Sequence, residues 1–425
     1  MSAAEQSPKR LSGAVRVSAF WFFGLGGLGL FFPYYSLYLR ENAGLAVWQV
    51  GAVMATLPAV ALVAQPAWGI LADRSGTRTQ VLSLLALGSA ACYAALALGQ
   101  GFASMLALTA LLACFSSPLI PTAVSVTFAV TQQLGPHAFG LCRVWGTLGF
   151  GLFMFLLLPG LDAIERAQGL VASPGGPSEP ALRVMFPLAG GVLAVAAALA
   201  LRLPREGALA VRAERREWRS LLRHGPYLRL LAVVWLGYLL LQGPMAIFPL
   251  FVRAHGGSID TVGELWLLML ALEVPLILLS GASLTRLGAR GLLMAGLAAG
   301  GVRWTVCGFF PGSVWVVPVQ LLHGAVVAGL ILGGPLYVEA LVPERLRSTG
   351  QNLLAMVGVS LGGLLSNLAS GALFDAFGPD TPYRVGGVGA LMLALALPLL
   401  LPRPERIDTG GGGVSRATPA APPTG

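Results

Sequence analysis

The sequence predicts an all-α membrane protein of twelve transmembrane helices, arranged as two parallel six-helix repeats. Three features predict it: an apolar composition, a one-sided distribution of arginine, and an internal repeat. Of the 425 residues, 56% are hydrophobic and 11% charged, and the mean hydropathy is +0.77. Soluble domains carry about 25% charged residues, because most of their elements show one face to water. Between Arg78 and Arg143, 64 consecutive residues contain no Asp, Glu, Lys or Arg. A bilayer core takes about 20 apolar residues per helix, so this stretch alone holds two spans and a turn. The composition excludes a nucleic-acid binder, a disulfide scaffold and a disordered chain.

A window of about 19 residues places the spans at 17–39, 49–72, 79–99, 103–131, 138–160, 182–201, 228–252, 261–284, 291–310, 314–340, 349–374 and 384–401. Lys9, Arg10 and Arg16 precede the first apolar run. That run, Val17 to Leu39, is too long for a signal-peptide core, and no small-residue cleavage pattern follows it. Pro58, Pro66, Pro244, Pro275 and Pro318 fall inside spans, where neighbouring helices can satisfy the freed backbone groups. Cys92, Cys114, Cys142 and Cys307 lie in apolar segments without CxxC spacing and read as small buried hydrophobes.

Orientation follows from the basic residues. With a cytoplasmic N-terminus, inner segments hold 20 Lys and Arg and outer segments 5, with Arg143 and Arg303 inside spans. That asymmetry puts both termini in the cytoplasm, and the expected location is the cell (inner) membrane. The longest hydrophilic inner connection runs from Arg202 to Arg229 and is expected to be a solvated linker along the membrane surface. The tail from Pro402, with Gly410 to Gly413, reads as disordered low-complexity chain.

The repeat has an offset of 212 residues: Val50-Gly51 recurs as Val262-Gly263. Gly69, Asp73, Arg74, Gly76 and Arg78 recur, at the same spacings, as Gly281, Thr285, Arg286, Gly288 and Arg290. Both copies fall on the cytoplasmic side, so the repeats are parallel, and a substrate site is expected between them near mid-membrane. The expected units are residues 1–16 (cytoplasmic N-terminal segment), 17–201 (first six-helix half), 202–227 (central loop), 228–401 (second half) and 402–425 (tail). Asp73, at a helix end, can pair with Arg78 or cap a neighbouring helix.

Ionisable groups inside spans cost about 2.5–3.5 kcal/mol each on insertion scales and are functional candidates by default. Glu273 sits mid-span in the eighth helix, Arg303 in the ninth and His323 in the tenth. A movement that makes or breaks a Glu273–Arg303 contact would load and release a proton, with His323 relaying it. Arg143, in the fifth span, offers a guanidinium fork for a carboxylate or a pair of hydroxyls. Tyr34, Tyr35, Trp145 and Gln242 are expected to line the cavity. Glu264, three residues after Thr261, forms a capping box instead.

The pattern Gly-x-x-x-Asp-Arg-x-Gly-x-Arg, with six plus six spans and a basic central loop, resembles the major facilitator superfamily over residues 13–402. The motif then implies conformational gating by Gly69, Asp73, Arg74, Gly76 and Arg78. A narrower resemblance, to the lactose permease and phenylpropionate transporter branch, rests on Phe32-Pro33-Tyr34-Tyr35, Gln65 to Gly69 and Phe139 to Phe150. It continues with Leu272-Glu273-Val274, Val302-Arg303-Trp304, Leu322-His323 and Arg347 to Gln351. The resemblance implies proton-coupled symport of a small organic solute, with Arg143 and Trp145 at a substrate site and Arg303 and His323 in the coupling network. Glu273 matches the phenylpropionate-transporter arrangement. Val326 stands where the lactose permease pattern has an acid, and Ser125 aligns near that pattern's helix-4 glutamate.

The expected function is uptake of a sugar, nucleoside or aromatic carboxylate together with protons, by alternating access. The alternative is a proton-driven antiporter that exports drugs or metabolites. No Walker loop, HExxH, paired-Asp metal motif or nucleophile elbow is present, so neither an enzyme nor a cofactor is expected. The expected partners are the solute, protons and the lipid bilayer, with no nucleic acid, and the protein is expected to be a monomer.

Overall fold

The structure, a computed structural model, describes residues 3–131, 134, 138–170, 179–204, 221–278, 280–343 and 346–401. Most of the expected central loop (205–220) and the 402–425 tail lie outside the described residues. The spans are α1 (Ala3–Glu41), α2 (Val47–Ser75), α3 (Arg78–Leu96), α4 (Gly101–Thr131), α5 (Ala138–Gln168) and α6 (Pro180–Ala200). They continue as α7 (Gly225–Ala246, extended by Phe248–Ala254), α8 (Ile259–Leu278), α9 (Leu287–Phe309), α10 (Ser313–Leu341), α11 (Thr349–Phe377) and α12 (Thr381–Leu400). Eleven helices among the described residues are long and apolar enough to cross a membrane. The twelfth span, α8, carries Asp260, Glu264 and Glu273 within 20 residues.

The backbone repeats with the sequence. Gly44 and Gly256 both have positive φ, and so do Gly76 (φ 64°) and Gly288 (φ 68°). Each pair is separated by the repeat offset. Gly76 ends α2 in the left-handed region, where a Cβ meets the following carbonyl and glycine does not. Gly288 (φ 68°, ψ 170°) also takes a positive φ, as a non-helical kink just before the second repeat's Arg290.

Helices pack closely wherever glycine lets their backbones meet, since dispersion rather than water exclusion drives association in lipid. α1 lies along α5, where a Cβ on Gly149 would strike the Phe22 carbonyl and one on Gly29 the Phe150 backbone. Buried interhelical hydrogen bonds add to this packing: Trp21 Nε1 donates to Thr127 Oγ1 (2.8 Å), Ser83 Oγ to the Ala197 carbonyl (2.9 Å) and Tyr227 Oη to the Gly350 carbonyl (2.8 Å). The cysteines are free, and Cys92, Cys142 and Cys307 are buried.

The repeats meet through α2 with α11, α5 with α8, and the end of α1 with α7. At the end remote from the Asp73–Arg78 turn the seam is closed. A Cβ on Gly51 would lie 2.6 Å from the Asn367 carbonyl and 3.0 Å from Gly371 Cα. Asn367 Nδ2 donates to the Met54 carbonyl (3.2 Å), and Asp375 accepts from the Trp48 amide at the α2 N-terminus (2.7 Å). Arg253 grips Glu41 at 2.8 Å. At the motif end the ion pairs among the described residues stay within each repeat: Arg78–Asp73 (2.8 Å) and Arg347–Glu339 (3.3 Å).

Two predictions follow from the packing and charge of this scaffold. Gly140 on α5 has open space around a built Cβ, whereas Gly149 has none. Gly140→Ala is therefore expected to raise the thermal midpoint in detergent through helix propensity, by about 1 kcal/mol. Gly149→Ala is expected to lower it through overpacking, by about 1–3 kcal/mol.

Glu179 precedes α6, outside the spans. Burial pushes its carboxyl up to about 7, with Glu165 reinforcing the shift and Arg253 opposing it. A raised carboxyl binds its proton more tightly in the folded protein. Its cost is therefore absent below the ordinary carboxylate range, grows as pH rises, and is complete above about 7. Melting curves of Glu179→Gln and the parent are expected to diverge between pH 5 and pH 8, the variant being more stable at the alkaline end.

Candidate functional site

α10 is irregular around its histidine. A 3₁₀ turn at Gln320–Leu322 precedes His323, and a π-helical turn follows at Ala328–Leu332. Gln320 and His323, three residues apart, share one helix face and both reach Arg303 on α9. Arg303 Nε donates to Gln320 Oε1 (2.8 Å) and Nη1 to His323 Nδ1 (3.1 Å). Its Nη2 contacts the sulfurs of Met269 (3.1 Å) and Met245 (3.5 Å), and the guanidinium lies 3.9 Å from the Trp304 ring centroid. Only 2% of Arg303 is exposed. A guanidinium has donors only, so His323 Nδ1 must accept and the imidazole hydrogen sits on Nε2. His323 therefore cannot take a proton at Nδ1 until Arg303 moves.

Arg303 has no carboxylate among these partners, and the expected Glu273–Arg303 contact is not made. Glu273 approaches α5 from α8, near enough to Thr147 and Arg143 to be coupled to both electrostatically, and it forms no salt bridge with Arg143 among the described residues. Arg143 and Thr147 are four residues apart on one face of α5. The Arg143 guanidinium lies 4.6 Å from the Trp21 ring centroid on α1, and its Nη1 has no hydrogen-bond partner among the described residues. A carboxylate from one repeat thus lies within electrostatic reach of a guanidinium from the other inside the bilayer, without an ion pair between them among the described residues. Attraction between unit charges is several-fold stronger there than in water, so the separation of the two groups bears on the energy of both.

The remaining sequence candidates are dispersed. Trp145, two residues from Arg143, points to the other side of α5, into an apolar groove of about 590 Å³ between α1 and α5. Tyr35 is fully buried among Phe31, Tyr93 and Phe186, its hydroxyl bonded to Thr109, within the first repeat. Tyr34 lines a cavity of about 170 Å³ at the remote end, between α1, α5 and α8, with Asp260 and Glu264. Gln242, half-buried on α7, stands beside Gly363 of α11, which also adjoins Pro58 of α2.

In the motif, Asp73 pairs with Arg78, whose Nη1 also donates to Ser125 of α4 (3.2 Å). Gly76 supplies the turn, and Gly69 and Arg74 are exposed. Sequence reading missed Thr147, Gln320, Trp21 and the two methionine sulfurs. Helical spacing from Arg143 and His323 points to the first two. The contacts of the others come from helices far apart in the chain, and no local pattern carries them.

Comparison with known proteins agrees with this architecture. The MFS_1 like family model matches residues 14–385. The maltose permease of Geobacillus stearothermophilus is 29% identical over 394 residues, covering 91% of this chain and 94% of the relative. The probable 3-phenylpropionic acid transporter of Escherichia coli (strain K12) is 27% identical over 403 residues, covering 90% and 94%. Among solved structures, the nucleoside transporter NupG superposes with a TM-score of 0.75 at 16% identity, covering 91% of this chain and 98% of that one, a likeness of fold. A helical fold that repeats in two halves, with eleven helices among the described residues long and apolar enough to cross a membrane, and a family match over residues 14–385 make this chain a member of the MFS_1 like family and a multi-pass membrane transporter of the major facilitator superfamily.

Proposed function

We propose that this protein takes up a small organic solute with protons, and that Glu273 carries the proton. The observation that supports this reading is the approach of Glu273 on α8, in one repeat, to Arg143 and Thr147 on α5, in the other, across the packed α5–α8 seam. When the repeats rock, the distance between carboxylate and guanidinium changes. Close to Arg143 the acid releases its proton, and away from it, in low dielectric, the acid binds one. Arg303 and His323 form a second unit in which proton uptake at Nδ1 requires Arg303 to withdraw. A single proton driven by 100 mV supplies about 2.3 kcal/mol, or about 50-fold accumulation.

The solute enters between residues 17–201 and 228–401, which act as two rocking halves. The names of the relatives favour a sugar or an aromatic carboxylate, and that of the structural neighbour extends the class to nucleosides. Arg143, with a free Nη1, and Gln242 are the proposed solute contacts. The arginine asymmetry supports a cytoplasmic Asp73–Arg78 turn with both termini inside, in the cell (inner) membrane. On that orientation the closed seam faces outward, and the described conformation is inward-facing. The bond from Arg78 to Ser125 ties α3 to α4 at the inner mouth and supports the gating role of the motif.

The test is accumulation by proteoliposomes under an imposed inward proton gradient, with maltose, uridine and 3-phenylpropionate as solutes. The parent is expected to concentrate at least one of them, and an uncoupler to abolish the gain. Glu273→Gln is expected to lose accumulation while keeping solute exchange within about threefold of the parent, since the neutral amide mimics the protonated acid. Accumulation by that variant against a gradient would remove Glu273 from the coupling. Arg143→Gln is expected to weaken binding of the transported solute about tenfold or more, measured by thermal shift.

A further inference from the structure

At the closed end, Glu41 ends α1 and Arg253 lies in the last turn of the α7 extension. Arg253 holds Glu41 with two nitrogens, Nε to Oε1 (2.8 Å) and Nη2 to Oε2 (3.4 Å). Its third nitrogen, Nη1, donates to the Gly257 carbonyl (3.0 Å), which fixes the fork in place. Both side chains are shielded, 25% and 21% exposed. Paired oxygens and nitrogens in this geometry are the strong form of a charge-assisted contact.

The two residues are 212 positions apart, the offset that also separates Gly44 from Gly256 and Gly76 from Gly288. They are therefore the same position in the two repeats. Equivalent positions that touch each other must lie on the axis relating the repeats. Had the copies stayed alike, like charges would face each other there; one copy instead carries Glu and the other Arg. A second cross-repeat contact, Asp375 with the Trp48 amide, flanks the pair. Its equivalent under the same offset would join Ala163 to residue 260. Ala163 has no carboxylate to offer, and the α5–α8 seam instead contains the cavity lined by Tyr34, Asp260 and Glu264. The on-axis pair and the α2–α11 side carry the polar part of this closure.

We propose that the Glu41–Arg253 pair is the lock of the remote end, breaking once in each transport cycle as the two repeats part. The proposal rests on the alternating-access reading above, but its readout needs no solute. Leu170→Cys, just past the remote end of α5, and Phe377→Cys, at the remote end of α11, are both exposed and take spin labels for pulsed distance measurement. In the parent, the short distance of the closed end is expected to dominate. Glu41→Gln and Arg253→Gln are each expected to enlarge the wider population about two- to fivefold. The charge-reversed pair, Glu41→Arg with Arg253→Glu, is expected to return it toward the parent.

Single variants that elute as folded monodisperse protein and keep the parent distribution would overturn the lock. So would a charge-reversed pair that stays as wide as the single variants. If a single variant fails to fold, the other single variant and the reversed pair decide. Widened variants beside a parent that accumulates no solute would leave the lock standing and sink the proposed transport instead.

Discussion

A charge inside a bilayer has no water to solvate it, and this structure answers that constraint in two ways. Arg303 is satisfied locally, by Gln320, His323, two sulfurs and an aromatic face, without any carboxylate among those partners. Glu273 faces Thr147 and Arg143 across the seam between the repeats, close enough to be coupled to both. The first arrangement fixes α9 against α10. The second makes the energy of a buried acid depend on how the two repeats sit, which is the physical requirement for coupling protonation to motion.

The repeat symmetry supplies the scaffold, and its departures supply the specialisation. Left-handed glycines recur at the same offset, yet Asp73 in one copy is Thr285 in the other. Glu41 faces its own equivalent, Arg253, and their attraction depends on the repeats having diverged. The α2–α11 seam is tight, with Gly51 against Gly371, whereas the equivalent α5–α8 seam holds a cavity. The same two-fold scaffold is therefore stiff on one side and looser on the other.

The helices were legible from hydropathy because lipid demands an unbroken internal hydrogen-bonding segment wherever the chain crosses it. Most of the expected spans begin or end within a few residues of the observed helices. The first is longer than expected, running from Ala3 to Glu41, because its polar ends continue as helix beyond the apolar core. The site was legible only as a set of residue types. Glu273, Arg303 and His323 stood out by the cost of placing them in lipid, but nothing in their spacing revealed that Glu273 turns away from Arg303. Trp145 and Arg143 looked like one site because they are close in sequence, whereas a spacing of two puts them on opposite faces of a helix.

Composition, arginine asymmetry and the 212-residue offset determined the membrane class, the number of spans and the parallel repeat, since each records a constraint local to one segment or summed over many. Which face of each helix meets which neighbour was decided only in three dimensions. Dispersion, glycine contacts and a few buried polar bonds set the rotation of every helix, and these terms are individually small and contributed by distant parts of the chain. The partners of Glu273, the isolation of Tyr35 and the meeting of Glu41 with Arg253 all belong to that second level.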